Sequence, residues 1–230
     1  DTSPIRNNLA VKIANGLHLN TFNEVIRKNL FFKEGQLFYP LVVADNERFL
    51  REQEFLRDAL IQVVPSVYGK DSVDVIVLTR DVFSMGGSFN ASSFNRVGIE
   101  LTEENIGGSG NRLTFFFFYD KERSPTNGYG AAYKKRNIKG YFLDWTTGFT
   151  TYNKTFNSGR REELNLYTAL EKPMVSRYTA ITGATAFSYH STINGYLSDS
   201  LYLSDFRYRF LNADIWLGYN FGYKKGKKKD

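Results

Sequence analysis

Beyond about Phe94 the chain is written almost wholly with a period of two. Val97, Ile99 and Leu101 alternate with Arg96, Gly98, Glu100 and Thr102. Leu113, Phe115, Phe117 and Tyr119 alternate with Arg112, Thr114, Phe116 and Phe118. The same rhythm runs through Tyr141–Thr150, Glu163–Glu171 and Asn212–Tyr223, and less regularly through Tyr129–Asn137 and Tyr178–Tyr189. A strand sends successive side chains to opposite faces, so each segment becomes a ribbon with one apolar and one polar or small face. These ribbons run about 10–13 residues, against a usual five or six in soluble sheets; a tilted membrane strand needs ~9–11.

Many of the ribbons begin or end on a ring: Tyr119, Tyr129, Tyr141, Tyr152, Tyr178, Tyr189 and Tyr223. Rings at strand ends suit the two interfaces of a membrane. The polar faces carry Asp144, Glu163, Glu171, Asp214 and Asn220, which a dry core would disfavour and a water-filled lumen would accept. Connections are expected to alternate, short at 105–110, 137–140 and 173–176, longer at 121–128, 154–160 and 190–200, as in outer-membrane barrels. Two architectures stay open on the residues alone. One is an antiparallel transmembrane β-barrel. The other is a soluble β-rich binding or scaffold protein with an α/β cap, the apolar stripes facing one another. A helical membrane protein is excluded, since no run approaches ~18 apolar residues and the mean hydropathy is −0.39.

The part before about Arg80 has another texture. Only Tyr39 and Tyr68 of the 15 tyrosines lie before residue 91. Leu9–Ile13 reads as a short strand. Thr21-Phe22-Asn23-Glu24 has capping-box spacing and predicts a helix to about Asn29. A second helix is expected over about Leu41–Gln53, with Val42, Asn46, Phe49, Leu50 and Gln53 on one face. Ala59–Val64 and Val73–Thr79 read as paired strands around a turn at Tyr68-Gly69-Lys70-Asp71. The order is β-α-α-β-β, two helices covering one face of a three-stranded sheet.

Charge and composition narrow the function. The net charge is +6, and the last seven residues, Lys224–Asp230, supply +4 of it. That is a solvated tail rather than a basic surface interleaved with stacking rings, so no nucleic-acid partner is expected. There is no Cys, hence no disulfide framework and no thiolate metal site. The two histidines, His18 and His190, are far apart. Gly107-Gly108-Ser109-Gly110-Asn111 fails as a nucleophile elbow at its fifth position and lacks the ending of a phosphate loop. Glu103-Glu104 sits before the same turn and reads as solvated. No metal-binding spacing appears. The expectation is a protein without catalytic residues, metal or cofactor. Asp1 is neither an initiator Met nor part of an apolar leader, so the text reads as a mature chain or an excised piece.

Taken in order, these segments resemble the BamA-like superfamily, in which POTRA domains precede an outer-membrane barrel. The stretches that look alike are Asn46-Glu47-Arg48-Phe49-Leu50-Arg51 with the strands after it and the exit Thr79-Arg80-Asp81-Val82-Phe83-Ser84; Gly98-Ile99-Glu100-Leu101 with Glu104-Asn105-Ile106-Gly107-Gly108-Ser109-Gly110; and Glu163 to Pro173. The resemblance implies an α+β POTRA domain over 1–83, in the periplasm, followed by the N-terminal half of a barrel over 84–230, about eight strands, in the bacterial outer membrane. It implies a non-enzymatic protein that inserts or translocates other proteins (or lipid). The implied partners are unfolded outer-membrane protein clients, the lipid bilayer around the barrel, and periplasmic or lipoprotein accessory subunits. Edge pairing by Ala59, Leu60, Ile61, Gln62, Val63 and Val64 would capture clients. The first barrel strand would be the seam: Met85, Gly86, Gly87, Ser88, Phe89, Asn90 and Ala91. On residues alone, this Gly/Ser-rich stretch reads equally as a linker. The family's barrel has about twice as many strands, so on this reading the chain is a fragment of a longer protein or, as the alternative, closes as a small barrel.

Overall fold

The computed structural model describes residues 20–67, 69, 71–121, 125–152, 160–194 and 206–223, with backbone alone at 160–162, 193–194 and 206–208. The expected strand at 9–13, His18 and the Lys-rich tail lie outside the described residues, as do parts of the Tyr68–Asp71 turn and of the longer connections. The chain folds as two compact units. The first is residues 1–84 together with 104–110; the second is 85–103 together with 111–230.

In the first unit, α1 (Asn23–Lys28) and α2 (Pro40–Arg51) accompany a hairpin of β1 (Leu56–Pro65) and β2 (Val73–Asp81). Helix α2 starts with Pro at its first position, where the missing N–H would go unpaired anyway. Its Val43, Phe49 and Leu50 are buried, and the core joins Ile26, Val43, Leu50, Phe55, Leu56, Ala59 and Ile61. Val43 rather than Val42 takes the inward place. Asn46 is fully buried in the same helix. Its Nδ2 donates to Asn29 O at 2.9 Å and its Oδ1 accepts from Phe31 N at 2.9 Å, so both ends of the amide are satisfied and α1's exit is tied to α2. The hairpin is antiparallel, with Leu60 opposite Leu78, Gln62 opposite Ile76 and Val64 opposite Asp74.

The capping box expected at Thr21 does not form. The residue before α1 is Phe22, and no side chain caps the helix. Thr21 instead donates from its N to Asp81 Oδ2 (2.9 Å) and from its hydroxyl to Asp81 Oδ1 (2.7 Å). A carboxylate sixty residues away outcompetes the local amide because a charge-assisted bond is the stronger.

The second unit is one eight-stranded antiparallel sheet whose strands are neighbours in chain order: β3 (Met85–Ser93), β4 (Arg96–Glu103), β5 (Arg112–Asp120), β6 (Asn127–Lys135), β7 (Asp144–Thr150), β8 (Arg160–Lys172), β9 (Ile181–Asn194) and β10 (Phe206–Tyr219). It is a meander with β3 and β10 as its edges, and it is not closed. The stretch 84–93, ambiguous as text, is a strand from Met85. The last strand begins at Phe206, earlier than expected, because the alternation of Phe206, Tyr208 and Phe210 with Arg207 and Arg209 changes phase at Phe210-Leu211, before Ala213, Ile215 and Leu217. β7 begins at Asp144, later than expected, because the chain before it is a tight turn: Asn137, Lys139 and Phe142 all have positive φ. Asn137 anchors that turn, its Oδ1 accepting from Phe142 N (2.8 Å) and its own N donating to Asp144 Oδ1 (2.9 Å).

The expected alternation of short and long connections is not found. Residues 104–111, 136–143 and 173–180 join strands on one side, and 94–95, 121–126, 151–159 and 195–205 on the other. The first three are of equal length and the others span a range on both sides of it. The text misled because the tight turns absorb residues that alternate like strands.

Candidate functional site

No helix among the described residues is long and apolar enough to cross a membrane, and no group of three His, Asp or Glu among them could hold a metal. What the fold offers instead is a sheet with two unlike faces and a set of open strand edges.

Pairing register sorts the eight-stranded sheet. Ile99, Phe117 and Tyr129 lie in one row; Leu101, Phe115, Ala131, Phe149, Leu166 and Tyr189 lie in the next. This face is apolar from β3 to β10 and is not covered: Leu101, Phe115, Tyr129, Leu211, Ile215 and Leu217 are all exposed, Leu217 by 81%. The opposite face sets Arg96 against Asp120, Glu100 against Phe116, Thr102 against Thr114 and Asp144 against Glu171. Two ion pairs lie on it: Arg96 Nη2 is 2.9 Å from Asp120 Oδ2, and Lys134 Nζ is 3.3 Å from Asp144 Oδ2. Glycines on this face let the strands close up. A Cβ on Gly130 would sit 2.5 Å from Phe149 O, and one on Gly148 would sit 2.6 Å from the Tyr167 hydroxyl and 2.7 Å from Ala131 O. Tyr167 covers the Gly148 gap from the next strand, as rings often do for strand glycines.

The edge at β3 is thinly packed. All nine residues are exposed. Facing β4 on the apolar side it offers Met85, Gly87, Phe89 and Ala91 to Glu103, Leu101, Ile99 and Val97; only Phe89 with Ile99 makes a large apolar pair. β4 and β5, by contrast, match Val97 with Tyr119, Ile99 with Phe117 and Leu101 with Phe115. Glu104 N donates to Ser84 O at 2.8 Å. Antiparallel bonding alternates, so Gly86, Ser88 and Asn90 direct their backbone groups at β4. Met85, Gly87, Phe89 and Ala91 direct theirs at the open edge.

The edge at β1 is partly closed. By the same alternation Ala59, Ile61, Val63 and Pro65 turn away from β2. Glu47 of α2 reaches over and accepts from Ile61 N (2.7 Å), while Arg51 Nε donates to Ala59 O (2.8 Å). Arg51 also pairs with Glu47 (2.9 Å) and Asp58 (3.1 Å). Of the expected edge set, Ala59 and Ile61 are therefore occupied by side chains of the chain itself. Leu60, Gln62 and Val64 bond toward β2, which leaves Val63 as the member turned outward without such cover. Side chains that blunt an edge are a known protection against unwanted pairing. Sequence reading missed the pair because its helix-surface spacing, Glu47 to Arg51, reads as an ordinary solvated ion pair.

Comparison with known proteins adds the fold. No protein-family model matches the chain, and no curated protein matches it. Among the 39 solved chains that match is BamA from Haemophilus ducreyi lacking POTRA domains 1-3, with a TM-score of 0.52 and 13% identity over 86% of this chain. The sheet has a BamA-like barrel fold. The chain covers 41% of that structure's length.

Proposed function

We propose that the chain is part of an outer-membrane protein that inserts or translocates other proteins, with the eight-stranded sheet in the membrane and the α/β unit in the periplasm. The observation that carries this reading is the division of the sheet: an apolar face exposed from edge to edge, backed by a face that carries charged side chains, threonines and glycines. Such an apolar surface needs hydrocarbon over it, and such a polar surface needs water. The uncovered stripe also weighs against the soluble alternative, in which it would be the core.

On this reading β3 is the seam. A client strand would add at Met85, Gly87, Phe89 and Ala91, whose backbone groups face the opening, with main-chain hydrogen bonds supplying affinity. The α/β unit would capture clients beside Val63 and Val64, at the end of β1 that Glu47 and Arg51 leave open. Bilayer lipid, unfolded outer-membrane clients and accessory subunits are the partners; no nucleic acid, metal, cofactor or catalysis is invoked. Photo-crosslinkers at Gln62 and Phe89, used during client assembly, test the reading. Client adducts at Phe89 above those at a site on the closed interior strand β6, such as Tyr133, support it; background at both Gln62 and Phe89 overturns it.

A further inference from the structure

We infer that Lys135 and Lys172, on either side of Trp145 on the apolar face, hold the headgroup phosphate of an anionic phospholipid. The inference rests on the reading of the sheet as lying in the membrane. It adds a class of lipid and the side chains that select it.

Charge is scarce on that face and unevenly placed. Among the described side chains of its strands, Glu103, Lys135, Lys172 and Arg209 carry it. Arg209 is at the opposite end of the sheet. Glu103 is on β4, on the side of Lys135 away from Lys172. The two lysines fall together at the end that carries connections 136–143 and 173–180. Lys135 is opposite Trp145, Trp145 is opposite Leu170, and Lys172 is the next residue of β8 on the same face. Strand spacing and rise put the two lysine Cα atoms about 12 Å apart, a gap that two extended lysine side chains can close on one phosphate. The acids of this end lie on the other face: Asp144 pairs with Lys134 (3.3 Å), and Glu171 is opposite Asp144. The corner is therefore cationic where it meets lipid and mixed where it meets water.

Both ammonium groups have donors to spare. Lys135 is exposed and makes no hydrogen bond or ion pair among the described residues. Lys172 Nζ donates to Tyr141 O (2.5 Å), which turns it toward the 136–143 turn and leaves two N–H groups for another acceptor. A lysine on an apolar surface keeps its stem in hydrocarbon and its head at the polar boundary. The floor between the two is fixed. Trp145 Nε1 donates to Thr168 Oγ1 (2.8 Å), and its ring stands edge-on to Tyr133, with centroids 6.3 Å apart. Tyr141, in the turn, is exposed. Trp and Tyr rings favour headgroup depth. Two cations over one phosphate favour a lipid with net negative charge, because a zwitterionic headgroup already offsets its phosphate with its own amine. The chain enters the sheet from the α/β unit at Met85, which pairs with Glu103 at this same end. On the membrane reading, the lipid is thus one of the periplasmic leaflet.

Trp145 reports on this corner directly. The chain has two Trp, and Trp216→Phe leaves Trp145 as the fluorescent one. The full chain is reconstituted in vesicles of equal parts phosphatidylcholine and phosphatidylglycerol, with bromine on the acyl chains of one lipid or of the other. Brominated phosphatidylglycerol is expected to quench Trp145 more strongly, with a relative affinity of about fivefold or more, the factor one lysine contributes at an anionic surface. Lys135→Gln with Lys172→Gln should bring the two lipids level, while Arg209→Gln should leave the preference intact. Without any change at the lysines, added salt should shrink the preference. Equal quenching by the two lipids, a preference that survives loss of both lysines or ignores salt, or one lost in Arg209→Gln would overturn the lipid site and leave the sheet in the bilayer. Quenching by neither lipid would overturn the membrane reading itself, and the site with it.

Discussion

Replacing Glu47 by alanine should uncover the middle of β1. The carboxylate accepts from Ile61 N at 2.7 Å and is only 22% exposed. A hydrogen bond to a charged group contributes about 1.5–3 kcal/mol; partial access of water argues for the lower end, about 1.5 kcal/mol, which is about tenfold in an opening equilibrium. Glutamine keeps an acceptor for Ile61 and loses the ion pair to Arg51, an exposed i, i+4 contact worth roughly 0.3–0.5 kcal/mol. The Ile61 amide should therefore exchange about tenfold faster in Glu47→Ala and about twofold faster in Glu47→Gln, by the same arithmetic. Exchange at Leu60, bonded within the hairpin, should change less. An Ile61 rate in Glu47→Ala within twofold of the parent would refute the argument. So would equal effects of the two variants, which would assign the whole contribution to charge.

Three further outcomes are expected. Leu217→Arg, on the apolar face, should lower the stability of the membrane-inserted sheet by about 2–4 kcal/mol if that face meets the bilayer midplane, while Ser188→Arg on the polar face should cost far less; urea unfolding from lipid vesicles reads both. Gly148→Val should block folding, since its Cβ would collide with the Tyr167 hydroxyl and with Ala131 O; adding Tyr167→Ala should restore only part, because the backbone clash remains. Glu24 is held below the usual carboxylate range by its hydrogen bond and charge contact with Lys28. Its folded pKa being the lower one, the contact stabilises above the ordinary glutamate range and is lost as pH falls through the depressed value. An NMR titration of Glu24 should move up to the ordinary range in Lys28→Met.

What could be read from the text, and what could not, divides by distance along the chain. The strands from Arg96 onward announce themselves because alternation is local, and the core helix does so because Phe49 and Leu50 follow Asn46 at helical spacing. Thr21 was misread because its partner, Asp81, lies far away. Residues 84–93 were legible only through resemblance, since a strand of Gly and Ser has no stripe to show. The cover over Ala59 and Ile61 was invisible because it depends on a helix lying beside one particular edge. In each case the missing information is tertiary.

The seven residues 104–110 bear on how this architecture can be cut and recombined. Because they complete the α/β unit from within a later hairpin, that unit is discontinuous. A truncation at Ser84 would take from the Thr21 hydroxyl the Asn105 Nδ2 that donates to it (3.0 Å), and would remove Gly110, whose backbone lies against the Phe55 ring. A chimera that exchanges the unit for a relative's would have to carry the connection along with it, so the two segments are bound to vary together.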